Sequence, residues 1–140
     1  MADETNQLRV RLVTPARVLF EHMARSVELP SKSGYLEVLY GHAPLVAELG
    51  AGDVTLHDGP GGDERYNVNW GFVEVLPDRV TILASDALKP EEIDVARAEQ
   101  QLDRGLQLWK EAGESEEKYN EALRVIAEGE AKIASATQKH

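Results

Sequence analysis

A single change of hydrophobic period at Lys89 constrains this chain more than any other feature. From Leu8 to Leu88 apolar and polar residues tend to alternate, the spacing of strands. From Pro90 onward apolar residues recur every three or four positions, the spacing of helices. One switch, marked by a proline, predicts two modules laid end to end: residues 1–88 as β-structure and residues 89–140 as a helical hairpin.

In the first module Leu8, Val10 and Leu12 share one face of a strand that Pro15 ends. Val18 to Leu29 reads as a bent strand closed by a Pro30–Gly34 turn. Ser33 to Val54 is the densest stretch, with two short strand patterns, a Gly41-His42-Ala43-Pro44 turn and a Gly50-Ala51-Gly52-Asp53 turn. Asp58-Gly59-Pro60-Gly61-Gly62-Asp63 is a hairpin tip without G-x-G-x-x-G or Walker spacing, and its two aspartates would repel phosphate. Tyr66–Trp70, Phe72–Leu76 and, after a Pro77-Asp78-Arg79 turn, Val80–Ala84 complete a spacing that predicts an all-β sandwich or flattened barrel.

In the second module Pro90 suits a first helical position, and Glu91, Glu92 and Asp94 put negative charge at the positive end of the helix dipole. Val95, Ala98, Leu102, Leu106 and Trp109 form the expected apolar stripe of a helix stopping near Gly113. Ser115 caps a second helix, whose stripe is Tyr119, Ala122 or Leu123, Ile126, Gly129 or Glu130, and Ile133. The short connection makes the pair antiparallel, with Gly105, Ala122 and Gly129 permitting close approach. So thin a seam gives little independent stability, so the hairpin is expected to depend on docking to the sandwich or to a partner.

Composition removes several functions. A formal net charge of -10 over 140 residues opposes attraction to nucleic acid or anionic lipid. Cysteine is absent, so neither disulfides nor thiolate metal sites are available. The polar start Met1–Asn6 lacks the pattern of a signal or transit peptide, and no apolar run reaches membrane-spanning length, so direct membrane insertion is not expected. His22, His42, His57 and His140 show no metal-ligand spacing, and His140 falls in a tail expected to fray. No serine or threonine sits in a nucleophile elbow, so no catalytic residue and no metal are assigned.

Two groups of residues remain. His42, in its constrained turn, reads first as an imidazole bonded to its own loop backbone. Asp94, Arg97 and Arg104 can share one helix face and accept a nucleotide, the aspartate taking a donor and the arginines taking phosphate. Spacing alone favours plain surface ion pairing for them.

The run Gly34-Tyr35-Leu36-Glu37-Val38-Leu39-Tyr40-Gly41-His42-Ala43-Pro44-Leu45, then Gly71-Phe72-Val73-Glu74-Val75, then a helical entry Ile93-Asp94-Val95-Ala96-Arg97-Ala98, resembles the epsilon-subunit family of bacterial F-type ATP synthases over nearly the whole length. The resemblance implies a sandwich of about ten short strands followed by the two-helix hairpin, in a non-catalytic central-stalk subunit. It implies that the sandwich binds the gamma subunit and touches the c-ring, at the cytoplasmic face of the bacterial plasma membrane. It further implies a hairpin that folds onto the sandwich or extends along gamma toward the alpha and beta subunits, restraining ATP hydrolysis.

Several positions depart from the family pattern. Tyr35, Glu37 and Tyr40 replace the usual acidic residue, glycine and proline before His42, which puts the c-ring or gamma contact at Tyr35, Glu37 and His42, with Glu37 the nearest substitute acid. Trp70 stands where a glycine often precedes Gly71. Some members bind ATP at the hairpin. Asp94, Arg97 and Arg104 match that site, but Leu88 replaces an upstream glutamate, and Glu128 and Lys132 stand where strong binders carry arginines. No obligatory cofactor is therefore expected, and regulatory ATP binding is expected to be weak or absent. The alternative reading is a free-standing nucleotide-sensing module whose purpose is the Asp94, Arg97 and Arg104 face.

Overall fold

Residues 6–138 are described by a computed structural model, so Met1–Thr5 and Lys139–His140, with the expected His140 tail, lie outside the described residues. The chain divides into two compact units, Met1–Leu88 and Lys89–His140. The first contains β1 (Leu8–Val13), β2 (Val18–Ala24), β3 (Ser26–Ser31), β4 (Gly34–Leu39), β5 (Leu45–Leu49), β6 (Gly52–Gly59), β7 (Gly62–Leu76) and β8 (Arg79–Leu88). The second contains α1 (Val95–Glu111) and α2 (Glu116–Thr137).

Alternation builds the sandwich as expected. Leu8, Val10 and Leu12 are fully buried, as are Val54, Leu56, Val73, Val75, Val80 and Ile82, and they meet in one core with Phe20, Val27, Leu29, Val38 and Leu49. Paired strands run β2-β1-β8-β7-β5-β3-β4, with β6 between β3 and β7. β1 lies parallel to β8, and the other pairings are antiparallel.

Among the described residues the sandwich has eight strands, against the ten or so that the resemblance implies, and two strands read separately from the sequence are one. Tyr66–Trp70 and Phe72–Leu76 both belong to β7, which is 15 residues long and bends without breaking its ladder. β5 pairs with its second half from Leu45↔Val75 to Leu49↔Gly71, and β6 continues in the same register from Gly52↔Val68 to Leu56↔Glu64. On the other side β8 follows β7 from Leu76↔Arg79 to Asn67↔Leu88. The expected Val18–Leu29 strand, by contrast, is interrupted at Arg25, between β2 and β3.

The bend sits at Trp70, with φ 43°, and Gly71, with φ 151°. Left-handed backbone costs a non-glycine residue about 1–2 kcal/mol, so Trp70 holds its position under strain. Two hydrogen bonds brace it: the Trp70 N–H donates to the Gly50 carbonyl at 3.3 Å, and Ser85 Oγ donates to the Trp70 carbonyl at 2.9 Å. At Gly71 a Cβ would collide with the Leu83 carbonyl oxygen, so only glycine fits.

The second unit begins differently from the expectation. Pro90–Glu92 forms a short 3-10 turn, with the Glu92 carboxylate accepting the Lys89 N–H at 2.8 Å. The chain then passes through extended Ile93, and α1 starts only after Asp94, which caps it. Gly113, with φ 58°, ends the α1 region as expected, and Ser115 caps α2. The seam is carried by small residues: Ala98 and Gly105 on α1, Ala122 and Gly129 on α2, all buried. A Cβ on Gly105 would lie 2.8 Å from Ile126 Cγ1 and 3.0 Å from the Ile126 nitrogen. Ile126 and Val125 of α2 pack over Gly105, while Leu106 and Trp109, expected in the stripe, are exposed instead.

Gly71→Ala is expected to cost the sandwich about 2–4 kcal/mol, read as a lowered urea midpoint. Gly105→Ala sets a helix-propensity gain of about 1 kcal/mol against an overpacking cost of about 1–3 kcal/mol. Since a backbone atom blocks the new methyl, we expect net loss of hairpin stability, measured by amide exchange in α1 and α2.

Candidate functional site

The residues expected at an interface begin on β4. Leu36 and Val38 turn toward the core, which puts Tyr35, Glu37 and Leu39 on the opposite face. Tyr35 is 61% exposed, yet its hydroxyl accepts the Asp53 N–H at 2.9 Å. The ring lies over Gly52, where a Cβ would collide with the phenol oxygen and crowd Pro30. Glu37 is exposed and accepts a hydrogen bond from Ser26 Oγ at 3.3 Å, opposite Glu28 in the β3–β4 register.

His42 lies apart from them in the β4–β5 loop. Gly41, with φ 90°, donates its N–H to the Pro77 carbonyl at 2.7 Å, and the His42 N–H donates to Leu39 at 3.1 Å. The imidazole Nδ1 donates to the Ala43 carbonyl at 2.7 Å. His42 therefore ties its own loop, as its sequence context indicated.

The hairpin residues are arranged differently from simple ion pairing. The Asp94 carboxylate accepts the Arg97 N–H at 3.1 Å as the α1 N-cap. Arg97 and Arg104 are exposed two turns apart on the same helix. Glu128 is drawn into the hairpin seam, where it accepts from the Gln101 side-chain amide at 3.0 Å.

Two features went unassigned in the sequence. One is an apolar band on the outer face of β2, β1, β8, β7 and β5. Phe72 (55% exposed) pairs with Leu83, Leu83 with Val13, and Val13 with Val18, while Val46 (69% exposed) projects from the neighbouring edge of β5. Beside the band is a shallow groove of about 450 Å³ lined by Arg9, Arg11, Glu21, Glu74, Arg79 and Thr81. The signal was present: Leu45-Val46, Phe72-Val73 and Ile82-Leu83 put apolar residues on both faces of strands whose other outward positions are mostly polar.

The other feature is an ionic cluster at the β6–β7 tip. His57 Nε2 meets Glu28 Oε1 at 2.7 Å and its Nδ1 meets Asp63 Oδ2 at 3.1 Å. The hydrogen bond to Glu28 is the main force raising the His57 pKa, helped by Asp63 and opposed by partial burial. Asp63 is held below the usual carboxylate range, first by the Asp58 N–H and then by His57. Arg25 Nε bonds Asp58 Oδ2 at 2.6 Å. The partners of His57 lie 29 residues and 6 residues from it in sequence, beyond the reach of any spacing rule. Among the described residues no histidine and carboxylate grouping is arranged to hold a metal ion.

The sandwich matches the family described as ATP synthase, Delta/Epsilon chain, beta-sandwich domain, over residues 7–90. An ATP synthase epsilon chain of Solibacter usitatus (strain Ellin6076) is 38% identical over 141 aligned positions, covering 94% of this chain and 97% of the relative. That of Koribacter versatilis (strain Ellin345) is 46% identical over 105, covering 73% of this chain and 71% of the relative. In the cryo-EM structure of the Euglena gracilis mitochondrial ATP synthase, OSCP/F1/c-ring in rotational state 1, one chain shares the fold with TM-score 0.78 and 20% identity, over 93% of this chain and 81% of that one. A two-module, non-catalytic subunit of an ATP synthase is the class these observations define. The chain belongs to the ATP synthase epsilon chain family.

Replacing Asp94 with alanine is expected to remove about 1 kcal/mol from α1, with faster exchange of the Arg97 amide. Asp94→Ser keeps an oxygen acceptor and is expected to retain most of that protection.

Proposed function

We propose that this chain is a rotor subunit of a proton-translocating ATP synthase, joining the c-ring to the gamma subunit in the central stalk, with residues 1–88 as the binding module. The observation that carries this reading is the outer apolar band of Val18, Leu83, Phe72 and Val46. Large apolar side chains crossing several strands on the face away from the core are what a protein partner would cover. The mixed charges of Arg9, Arg11, Glu21, Glu74 and Arg79 beside the band suit the polar rim of such an interface. Gamma is the partner assigned to this face, and the exposed Tyr35 and Glu37 of β4, with His42 of the following loop, are the residues assigned to the c-ring. Among the described residues no helix is long and apolar enough to cross a membrane; in this reading the complex holds the protein at the cytoplasmic face of the bacterial membrane.

Residues 89–140 are the regulatory module in this reading. Exposed Leu106, Trp109, Tyr119 and Leu123 give the hairpin apolar surface for docking on gamma and on alpha and beta, where it restrains ATP hydrolysis. Arg97 and Arg104 remain available to phosphate, but Asp94 is engaged by a backbone amide and Glu128 adds a negative charge. Regulatory ATP therefore binds weakly at most, which disfavours a free-standing nucleotide sensor.

Phe72→Glu is expected to weaken gamma capture by about 100-fold or more, as burying an unpaired charge costs several kcal/mol, while an exposed site leaves the fold intact. Gamma capture unchanged by Phe72→Glu and Val46→Glu together would remove the band from the interface. Truncation after Leu88 is expected to leave a folded sandwich that still binds gamma and no longer restrains hydrolysis. Titration calorimetry showing tight ATP binding by the whole chain without affinity for gamma would reverse the assignment.

A further inference from the structure

We propose that His57 is a pH-responsive clamp that fastens the tip of the β6–β7 hairpin to β3 by bridging Glu28 and Asp63, and releases the tip on the alkaline side. Both ring nitrogens face carboxylate oxygens, at 2.7 and 3.1 Å. A carboxylate accepts and does not donate, so only the imidazolium, with a proton on each nitrogen, can make both bonds. Loss of one proton turns one of them into a lone pair facing a negative oxygen.

The tip has two fastenings with different chemistry. Arg25 holds the β6 side through Asp58 at 2.6 Å, and its N–H donates to the His57 carbonyl at 2.9 Å. A guanidinium stays charged throughout the neutral range, so that hold does not titrate there. The β7 side hangs on Asp63, whose Oδ1 accepts the Asp58 N–H at 2.9 Å while Oδ2 takes His57. Deprotonated His57 keeps one N–H for the shorter contact to Glu28, so the longer bond to Asp63 is the one lost, while Asp63 keeps the Asp58 N–H and Arg25–Asp58 stays in place.

The surrounding charges favour the protonated clamp. Glu28 reaches His57 from β3, Asp63 from the start of β7, and Glu37 stands beside Glu28 on β4. Arg25 is the cation opposing them, with Asp58 paired to it. On the next strand positions Arg65 of β7 is bonded to Asp53 of β6 at 2.7 Å, and Glu64 lies 3.3 Å from His22 of β2.

The sign of the pH dependence follows from both partners. His57 is raised above its ordinary value, so its contribution is complete below about pH 6.5 and is lost as pH rises through its higher folded pKa. Asp63 is lowered, so its contribution is present above about pH 4 and is lost as pH falls through its lower folded value. The clamp is closed between those limits. Above them the end of the sandwich gains one negative charge and a looser tip.

The test uses the full chain and two NMR readouts across pH 5–9: the imidazole nitrogen shifts of His57, and solvent exchange of the Asp58 amide normalised for its intrinsic pH dependence. His57 should be doubly protonated at pH 6, with a midpoint above the ordinary imidazole value. Asp58 protection should fall by about tenfold through that midpoint, while the Arg25 amide keeps its protection. His57→Gln should abolish the step, and Asp63→Asn should lower the midpoint by about 1 unit. A neutral His57 at pH 6, flat Asp58 protection in the unsubstituted chain, or the same step retained in His57→Gln would each overturn the clamp.

Discussion

The bend of β7 at Trp70 and Gly71 is the constraint from which the sandwich follows. β5 with β6 flanks β7 on one side and β8 on the other, and all keep a common register past the bend. Strands hydrogen-bonded in that way cannot turn separately, so a single pair of left-handed residues turns the paired strands together. Glycine at 71 is forced by the Leu83 carbonyl, whereas tryptophan at 70 is a strained choice held by Gly50 and Ser85. The bend separates two surfaces of different character: the apolar band of Phe72 and Leu83 on one side, and the ionic face of Glu28, Glu37, His57 and Asp63 on the other.

The hairpin depends on the opposite economy of side chains. Its helices meet through alanine and glycine at 98, 105, 122 and 129, which bring the backbones together. Trp109, Leu106, Tyr119 and Leu123 remain outside that seam. A module built so joins its helices closely and leaves a few large apolar side chains exposed on an otherwise charged surface.

Much of this was legible in the sequence, for identifiable reasons. Leu8, Val10 and Leu12 announced their burial because period-2 alternation is imposed by strand geometry. Gly105, Ala122 and Gly129 pointed to close helix approach, and His42 bonds its own loop because Gly41 and Pro44 leave the turn few alternatives. Strand bounds shifted in two places, because residues 70 and 71 look like a break and continue β7, while Arg25 interrupts the expected Val18–Leu29 strand. The seam of α1 misled because hydrophobic periodicity counts Leu106 and Trp109 and gives no weight to glycine. The start of α1 moved to Asp94 because Pro90 opens a 3-10 turn instead. The apolar band and the His57 bridge depend on which strands are neighbours, and pairing across 29 residues is not written in local pattern.

The central claim is that the outer face of β5, β7 and β8 is covered by the rotor. Hydroxyl-radical footprinting of the protein alone and within the assembled ATP synthase measures that directly. Oxidation of Phe72, Leu83 and Val46 should drop sharply on assembly, while the Asp58–Asp63 tip changes little. Undiminished oxidation of those three side chains in the intact complex would contradict the account.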